Sequence, residues 1–227
     1  MQIVEIYKSL QGESSYAGLP CVFVRLAGCN LRCTWCDSEY TFTGGHRMTL
    51  EEVEQEVHQL SPDGGLVEIT GGEPLLQERA VVPLMERLLA SGYTVLLETS
   101  GERPLDKVPR QVIKIVDVKC PDSGEGDTFR IENLDALTPH DEVKFVVASR
   151  RDYEFARQFI EQHALMARVA SVILSPAFRK DAAGSRDVSH CLVDPRELAE
   201  WILADGLNAR LGLQIHKFIW EPSLKGV

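Results

Sequence analysis

Three cysteines fall within eight positions of this chain, Cys29, Cys33 and Cys36 in AGCNLRCTWCDSEYTF, with the spacing C-x3-C-x2-C. A short loop so spaced can fold three thiolates around one inorganic cluster. An iron-sulfur cubane takes one thiolate per iron, so three leave one iron without a protein ligand and open to a small molecule. A structural zinc ion is the competing reading, but it wants four closed ligands. His46 could supply the fourth, and no second CxxC or HxxxH lies nearby. Cys21, Cys120 and Cys191 are isolated and read as compact buried residues. Disulfides are the weaker explanation of six cysteines, because MQIVEIYKSLQGE lacks the charged and apolar regions of an export signal. The expectation is a cytoplasmic chain with reduced thiols.

The elements that must position such a loop show as short apolar runs alternating with amphipathic stretches. CVFVRL (21–26), LVEIT (66–70), TVLLE (94–98), VIKIVDVK (112–119), EVKFVV (142–147), VASVIL (169–174) and RLGLQI (210–215) read as strands of a mostly parallel sheet. The clearest helix starts at Thr49, where Thr49-Leu50-Glu51-Glu52 has capping-box spacing and Leu50, Val53, Val57 and Leu60 recur at helical intervals. Further helical patterns cover 78–91, 151–164 and 194–206, with Pro83 obscuring the start of the first. Helical signals are weak between 99 and 140. A complete eight-unit barrel typically needs about 250 residues. This chain of 227 residues therefore predicts an α/β fold of one domain, residues 1–227, built as an incomplete, thinned (β/α) barrel.

Composition narrows the partners. The sequence is 44% hydrophobic and 26% charged, with a formal net charge of -10. That charge would repel a nucleic-acid duplex or an anionic membrane over most of the surface. No apolar run reaches the roughly 20 residues that cross a bilayer.

A second motif, ITGGEP (69–74), closes the second of these runs. Gly71 and Gly72 lack Cβ atoms and let backbone approach a ligand at a strand's carboxyl end. Taken alone it could be a strand-to-helix turn with Pro74 opening the helix. Together with the triad and the aromatic Trp35 before its third cysteine, the chain resembles the radical S-adenosylmethionine (SAM) superfamily. The resemblance implies a [4Fe-4S] cluster on the three cysteines, SAM on the open iron, and Glu73 as negative charge for the SAM ammonium group.

A narrower resemblance, to the 7-carboxy-7-deazaguanine synthase family, runs along nearly the whole chain. SLQGES (9–14) is close to that family's LQGEG, with Ser14 in place of the second glycine. The resemblance carries over Leu10, Gln11 and Gly12 as substrate contacts, with Glu13 beside them. Along CVFVRL, Val22, Val24 and Leu26 share one face and Phe23 and Arg25 the other. A buried strand arginine is satisfied by an internal salt bridge or by a ligand carboxylate. The resemblance favours the ligand, a substrate carboxylate. In CDS (36–38) it makes Ser38 the magnesium candidate and Asp37 a SAM contact; one hydroxyl suits an ion that keeps most of its ligands from water and substrate.

The remaining markers follow the strand ends. Thr70 corresponds to a substrate contact and Gly72 to a SAM contact. ETSG (98–101) offers Thr99 and Ser100, and DVK (117–119) offers Asp117, Val118 and Lys119, all to SAM, as do Ser175 and Pro176. Near the carboxyl end LQIHKFIW matches a Gln-x-His-Lys pattern and assigns Gln214, His216 and Lys217 to the substrate. The strand histidine could instead be a satisfied core residue. The carboxylate of Val227 is a further substrate candidate.

The implied reaction converts 6-carboxy-5,6,7,8-tetrahydropterin to 7-carboxy-7-deazaguanine with loss of ammonia, on the route to queuosine and other 7-deazapurines. It implies magnesium, an external electron donor such as flavodoxin or ferredoxin, and a homodimer. Two rivals stand beside it: a glycyl-radical-enzyme activase, and a non-catalytic iron-sulfur or zinc binding module.

Overall fold

Alternating apolar runs become strands because their β-branched and leucine side chains pack well on a pleated surface. In the computed structural model, residues 1–180, 186–221 and 224–226 are described. Val227 lies outside them. Six of the seven runs form β2 (Pro20–Leu26), β4 (Leu66–Gly71), β5 (Thr94–Thr99), β6 (Ile113–Asp117), β7 (Glu142–Val147) and β8 (Ser171–Pro176). Adjacent members of this series pair in parallel. The seventh run contributes only the two-residue edge strand β9 (Arg210–Leu211). The sheet order is β3-β1-β2-β4-β5-β6-β7-β8-β9 and the sheet does not close, as the thinned barrel predicts; its first two members are β1 (Gln2–Leu10) and β3 (His46–Arg47).

The amino terminus departs from the sequence reading. Residues 2–10 are not a lead-in to the first strand but a nine-residue strand, antiparallel to β2. Its polar residues hid it: Glu5 and Tyr7 lie against Arg25, so half of its alternation is polar for a reason internal to the fold. The carboxyl end departs too. Gly212 donates one more ladder bond, to Leu174 O, and Ile215 N then bonds to Gly12 O. The segment leaves the sheet edge and crosses to the LQG loop, and His216 opens a short helix, α5 (His216–Ile219), instead of sitting in a strand.

The helices fall where the periodicity puts them. α1 (Leu50–Leu60) carries both halves of its capping box: Glu52 N donates to Thr49 Oγ1 at 3.2 Å and Thr49 N to Glu52 Oε2 at 2.7 Å. α2 (Glu78–Ala90) keeps Pro83 inside, tolerated because Val81, Leu84, Met85 and Leu88 are fully buried. α3 (Arg150–Gln162) and α4 (Pro195–Ala204) follow β7 and β8. Between β5 and β7 the described chain forms no α-helix: besides β6 it has only 3-10 turns, at Pro121–Ser123 and Ile131–Ala136.

Strand alternation splits the sheet into two environments. Val22, Val24, Leu26, Val67, Ile69, Val95 and Leu97 pack under the helices. On the inner face, Leu96, Ile113 and Ile115 form a small plug with Tyr16. Many of the other inward positions are charged or polar, and Arg25, Glu68, Thr70, Glu98, Asp117 and Lys144 among them line the site together with the apolar Phe23 and Val146. No helix among the described residues is long and apolar enough to cross a membrane.

Candidate active site

The carboxyl ends of the strands surround a cavity of about 260 Å³. Ridged by Cys29, Cys33 and Cys36 on one side, it is bounded on the other by the LQG loop and the carboxyl-terminal segment. The cysteine loop follows β2 and is pinned from outside: Thr34 N donates to Ser123 O at 2.9 Å, and the Arg32 guanidinium donates to Cys29 O at 2.9 Å while lying 4.2 Å over the Phe42 ring. Gly72 lets the GGEP turn touch this loop, since a Cβ there would meet the Cys29 Cβ at 2.7 Å and the Gly28 carbonyl closer still.

Most of the sequence-predicted residues converge here. Leu10, Gln11, Gly12, Glu13, Arg25, Trp35, Asp37, Ser38, Thr70, Gly72, Thr99, Ser100, Asp117, Lys119, Gln214, His216 and Lys217 all line the cavity. A Cβ on Gly12 would run into the His216 ring, so the two terminal motifs touch at a point that only glycine permits. Gln214 bridges them further, donating to Glu13 Oε1 at 2.8 Å and accepting from Lys217 Nζ at 2.9 Å, while Lys217 also pairs with Asp37 at 2.6 Å.

Four predicted residues do not line it. Glu73 is buried, and its carboxylate is fully occupied: Oε1 accepts from Thr99 Oγ1 (2.8 Å) and Leu75 N (3.1 Å), Oε2 from Ser100 N (2.9 Å) and Ser100 Oγ (2.7 Å). It clamps GGEP to ETSG instead of offering charge to a ligand, because a buried carboxylate takes the nearest donors. Val118 alternates away from Asp117 and Lys119 into the helix-side core. Ser175 and Pro176 are buried behind the wall. Glu73→Gln should lower unfolding stability by about 1–3 kcal/mol in urea titrations, because the amide turns a donor toward donors. An unchanged midpoint would refute the clamp.

Arg25 lines the cavity but is also internally paired, with Nε donating to Glu5 Oε1 at 2.8 Å and Nη2 to Tyr7 Oη at 2.8 Å. The salt bridge that competed with a ligand in the sequence reading is therefore present. Tyr40 donates to the same Glu5 oxygen at 2.8 Å.

Electrostatics centre on Lys144, which sequence reasoning missed. Its ammonium, buried in the wall, pairs with Glu13 at 2.6 Å, with Glu98 at short range, and lies 3.9 Å from Asp117. Burial alone would raise the Glu13 carboxyl, but Lys144, then His216, hold it well below the usual carboxylate range. Burial likewise works against the Lys119 charge, yet Asp117 at 2.7 Å raises its pKa. Burial pushes the Cys33 thiol up to about 11. A bound cationic metal centre reverses that balance in favour of thiolate.

The donor set fits a cluster with a small-molecule ligand. Three thiols on one loop share a cavity with Asp117, whose Oδ1 is buried without a partner among the described residues and can accept from a ligand. For magnesium the fit is a single hydroxyl, Ser38 Oγ, 3.7 Å from Cys36 Sγ.

Comparison with known proteins agrees with this arrangement. Residues 24–162 match the radical SAM superfamily. The chain is 72% identical over 227 residues to a 7-carboxy-7-deazaguanine synthase of Koribacter versatilis (strain Ellin345), covering 100% of both chains. It is 42% identical to one of Chlorobaculum tepidum, covering 100% of this chain and 97% of that one. The chain belongs to the 7-carboxy-7-deazaguanine synthase family of radical SAM proteins. In fold it resembles QueE from Escherichia coli, with a TM-score of 0.69, 23% identity, and coverage of 93% of this chain and 92% of that one.

In this 7-carboxy-7-deazaguanine synthase family member, the residues that sequence reasoning overlooked share one signal. Glu68, Glu98 and Lys144 are charged positions facing the cavity from LVEIT, TVLLE and EVKFVV, runs that are otherwise apolar apart from Thr70, Thr94 and Glu142. A charge inside a buried strand must face a polar interior. Tyr7, Tyr40 and Phe178 also line the cavity, and nothing local to their sequence marks them.

Proposed function

We propose that this chain is a 7-carboxy-7-deazaguanine synthase, converting 6-carboxy-5,6,7,8-tetrahydropterin to 7-carboxy-7-deazaguanine with loss of ammonia. The observation that carries the proposal is the meeting of the cysteine triad with both terminal motifs, LQG and Gln-x-His-Lys, around one cavity. When bound, the cluster and SAM supply a strongly reducing electron and the carbon radical that removes a substrate hydrogen. Cys29, Cys33 and Cys36 hold the cluster. Asp117, Thr99 and Ser100 border the SAM side, and the contribution of Val118 is confined to its backbone.

The chain's own residues bind and orient the pterin. Arg25 offers the guanidinium edge left by Glu5 and Tyr7 to the pterin carboxylate, a planar match. Ser38 would hold the magnesium ion through its hydroxyl. Leu10, Gln11, Gly12 and Thr70 frame the ring, and Glu98, fixed by Lys144, faces its N–H groups. His216 is held near neutral by burial, so it serves as a hydrogen-bonding group more than as a charge. The walls exclude water, which protects reactive intermediates from side reactions. An external reductant such as flavodoxin completes the system.

The test is anaerobic reconstitution of the cluster, then addition of SAM, magnesium, reductant and carboxypterin. The expected result is the deazaguanine and ammonia in equal amounts. SAM cleavage without deazaguanine would remove the synthase reading and leave the superfamily intact. A glycyl-radical activase would instead need a protein partner, and a non-catalytic module would not cleave SAM at all.

A further inference from the structure

Glu68 is one of the buried acids in the cavity wall, 1% exposed, and neither the cluster, SAM nor substrate binding uses it. Its surroundings are unusual. Gln11 Nε2 donates to its Oε2 at 3.0 Å. Glu98 stands on the same face of neighbouring β5, two residues beyond Leu96, the register partner of Glu68, and both acids line the cavity; Glu13 adds a second negative charge, and Tyr7 and Cys21 lie close on β1 and β2. The nearby cation, Lys144, is engaged by Glu13 and Glu98, and no cation pairs with Glu68 among the described residues.

Two neighbouring carboxylates on one buried face do not both stay ionised when the one cation beside them is already shared. One proton between them turns repulsion into an O–H···O⁻ bond of the short, strong kind. Lys144 anchors Glu98 as the anion. The proton therefore belongs on Glu68. Burial, then the Glu98 charge, raises the Glu68 pKa well above the carboxylate range, in agreement with this assignment.

We propose that Glu68 is carried as a neutral carboxylic acid, donating its O–H to Glu98 and accepting from the Gln11 amide, and so is the positioning residue that holds both at the substrate's edge. The substrate part of this proposal rests on the synthase reading. Gln11 spends its side-chain carbonyl on Glu13 N (2.8 Å) and Ser14 N (2.9 Å), which leaves its amide nitrogen to tie the LQG loop to β4 through Glu68. Keeping Glu68 neutral also leaves the cluster of Glu13, Glu98 and Lys144 with a single net negative charge. The N–H donors of a ring edge can hydrogen-bond one such charge, whereas a second would go without a donor or cation.

The experiment compares the cluster-loaded wild type with Glu68→Gln and Glu68→Met. Infrared spectra of the wild type at neutral pH should contain the deuterium-sensitive C=O band of a protonated carboxyl, absent from Glu68→Gln. The amide copies the neutral acid, so Glu68→Gln should keep kcat and KM for the carboxypterin within about threefold, whereas Glu68→Met, losing a bond to a charged group, should raise KM about tenfold or more with a smaller change in kcat. A third readout is stability against pH. The fold keeps a proton that the unfolded chain releases near its ordinary value, so wild-type stability falls as pH rises above that value, and Glu68→Gln removes this component. The proposal is overturned by a wild type without the band, by a band that survives Glu68→Gln, or by a Glu68→Gln protein that fails to fold or loses affinity as Glu68→Met does. The infrared and unfolding measurements need no substrate. A wild type that yields no deazaguanine therefore sinks the synthase reading without touching the state of Glu68.

Discussion

Cys33→Ala is expected to abolish the iron-sulfur absorption of the reconstituted protein, bring its iron content close to that of a protein without a cluster, and eliminate SAM cleavage. Each thiolate holds one iron, so two cannot retain the cubane that three support. Cys33 lies on a half-exposed loop, and its side chain is no part of the core. Thermal unfolding of the unloaded variant should therefore match that of the unloaded wild type. Cys191→Ser is the control, because Cys191 is buried beside Phe178 away from the triad and its loss should leave iron binding intact. Iron retained together with SAM cleavage in Cys33→Ala would refute the cluster assignment.

Lys144→Met should cost about 3–5 kcal/mol, because removing one partner of a buried ion pair leaves the other charge uncompensated. That is a large part of the roughly 5–15 kcal/mol that holds a typical domain together. Methionine keeps the length and removes the charge, so Glu13 and Glu98 would remain in the wall facing each other and the anionic Asp117. The pH dependence gives the sign. In the wild type the Glu13 pKa is depressed in the fold, so its contribution is present above the unfolded value and is lost as pH falls through the folded one. Without Lys144 that depression goes, and the variant should be less destabilised in mild acid, where the carboxylates protonate, than at neutral pH. Urea titrations across that range measure it. Equal midpoints for variant and wild type would show that the buried cluster does not depend on Lys144. A destabilisation that grew on acidification would assign the loss to packing instead.

Much of this fold was legible because its signals are local. The capping box of α1 is read within four residues and both of its bonds are present. The apolar runs that became β2, β4, β5, β7 and β8 are read from alternation and β-branching within six or seven residues. β1 was not legible, since its polar positions are explained by Arg25, about twenty residues later. The ending LQIHKFIW has the alternation of a strand, but its partners are Glu13 and Gly12, so it left the sheet edge.

The site divides along the same line. By itself the sequence determined the triad spacing, the glycines of GGEP and LQG, and the strand ends at which ligands meet the barrel, because each is a property of a few consecutive residues. Only the tertiary structure decided which polar groups are spent on one another. Glu73, a ligand candidate by motif, is consumed by Thr99 and Ser100, 26 and 27 residues away. Lys144, unremarkable in EVKFVV, holds Glu13 across 131 residues, and Gln214 reaches the same Glu13 across 201. A buried charge is stable only beside its partner, and partners so far apart along the chain are chosen by how the strands stack into the barrel.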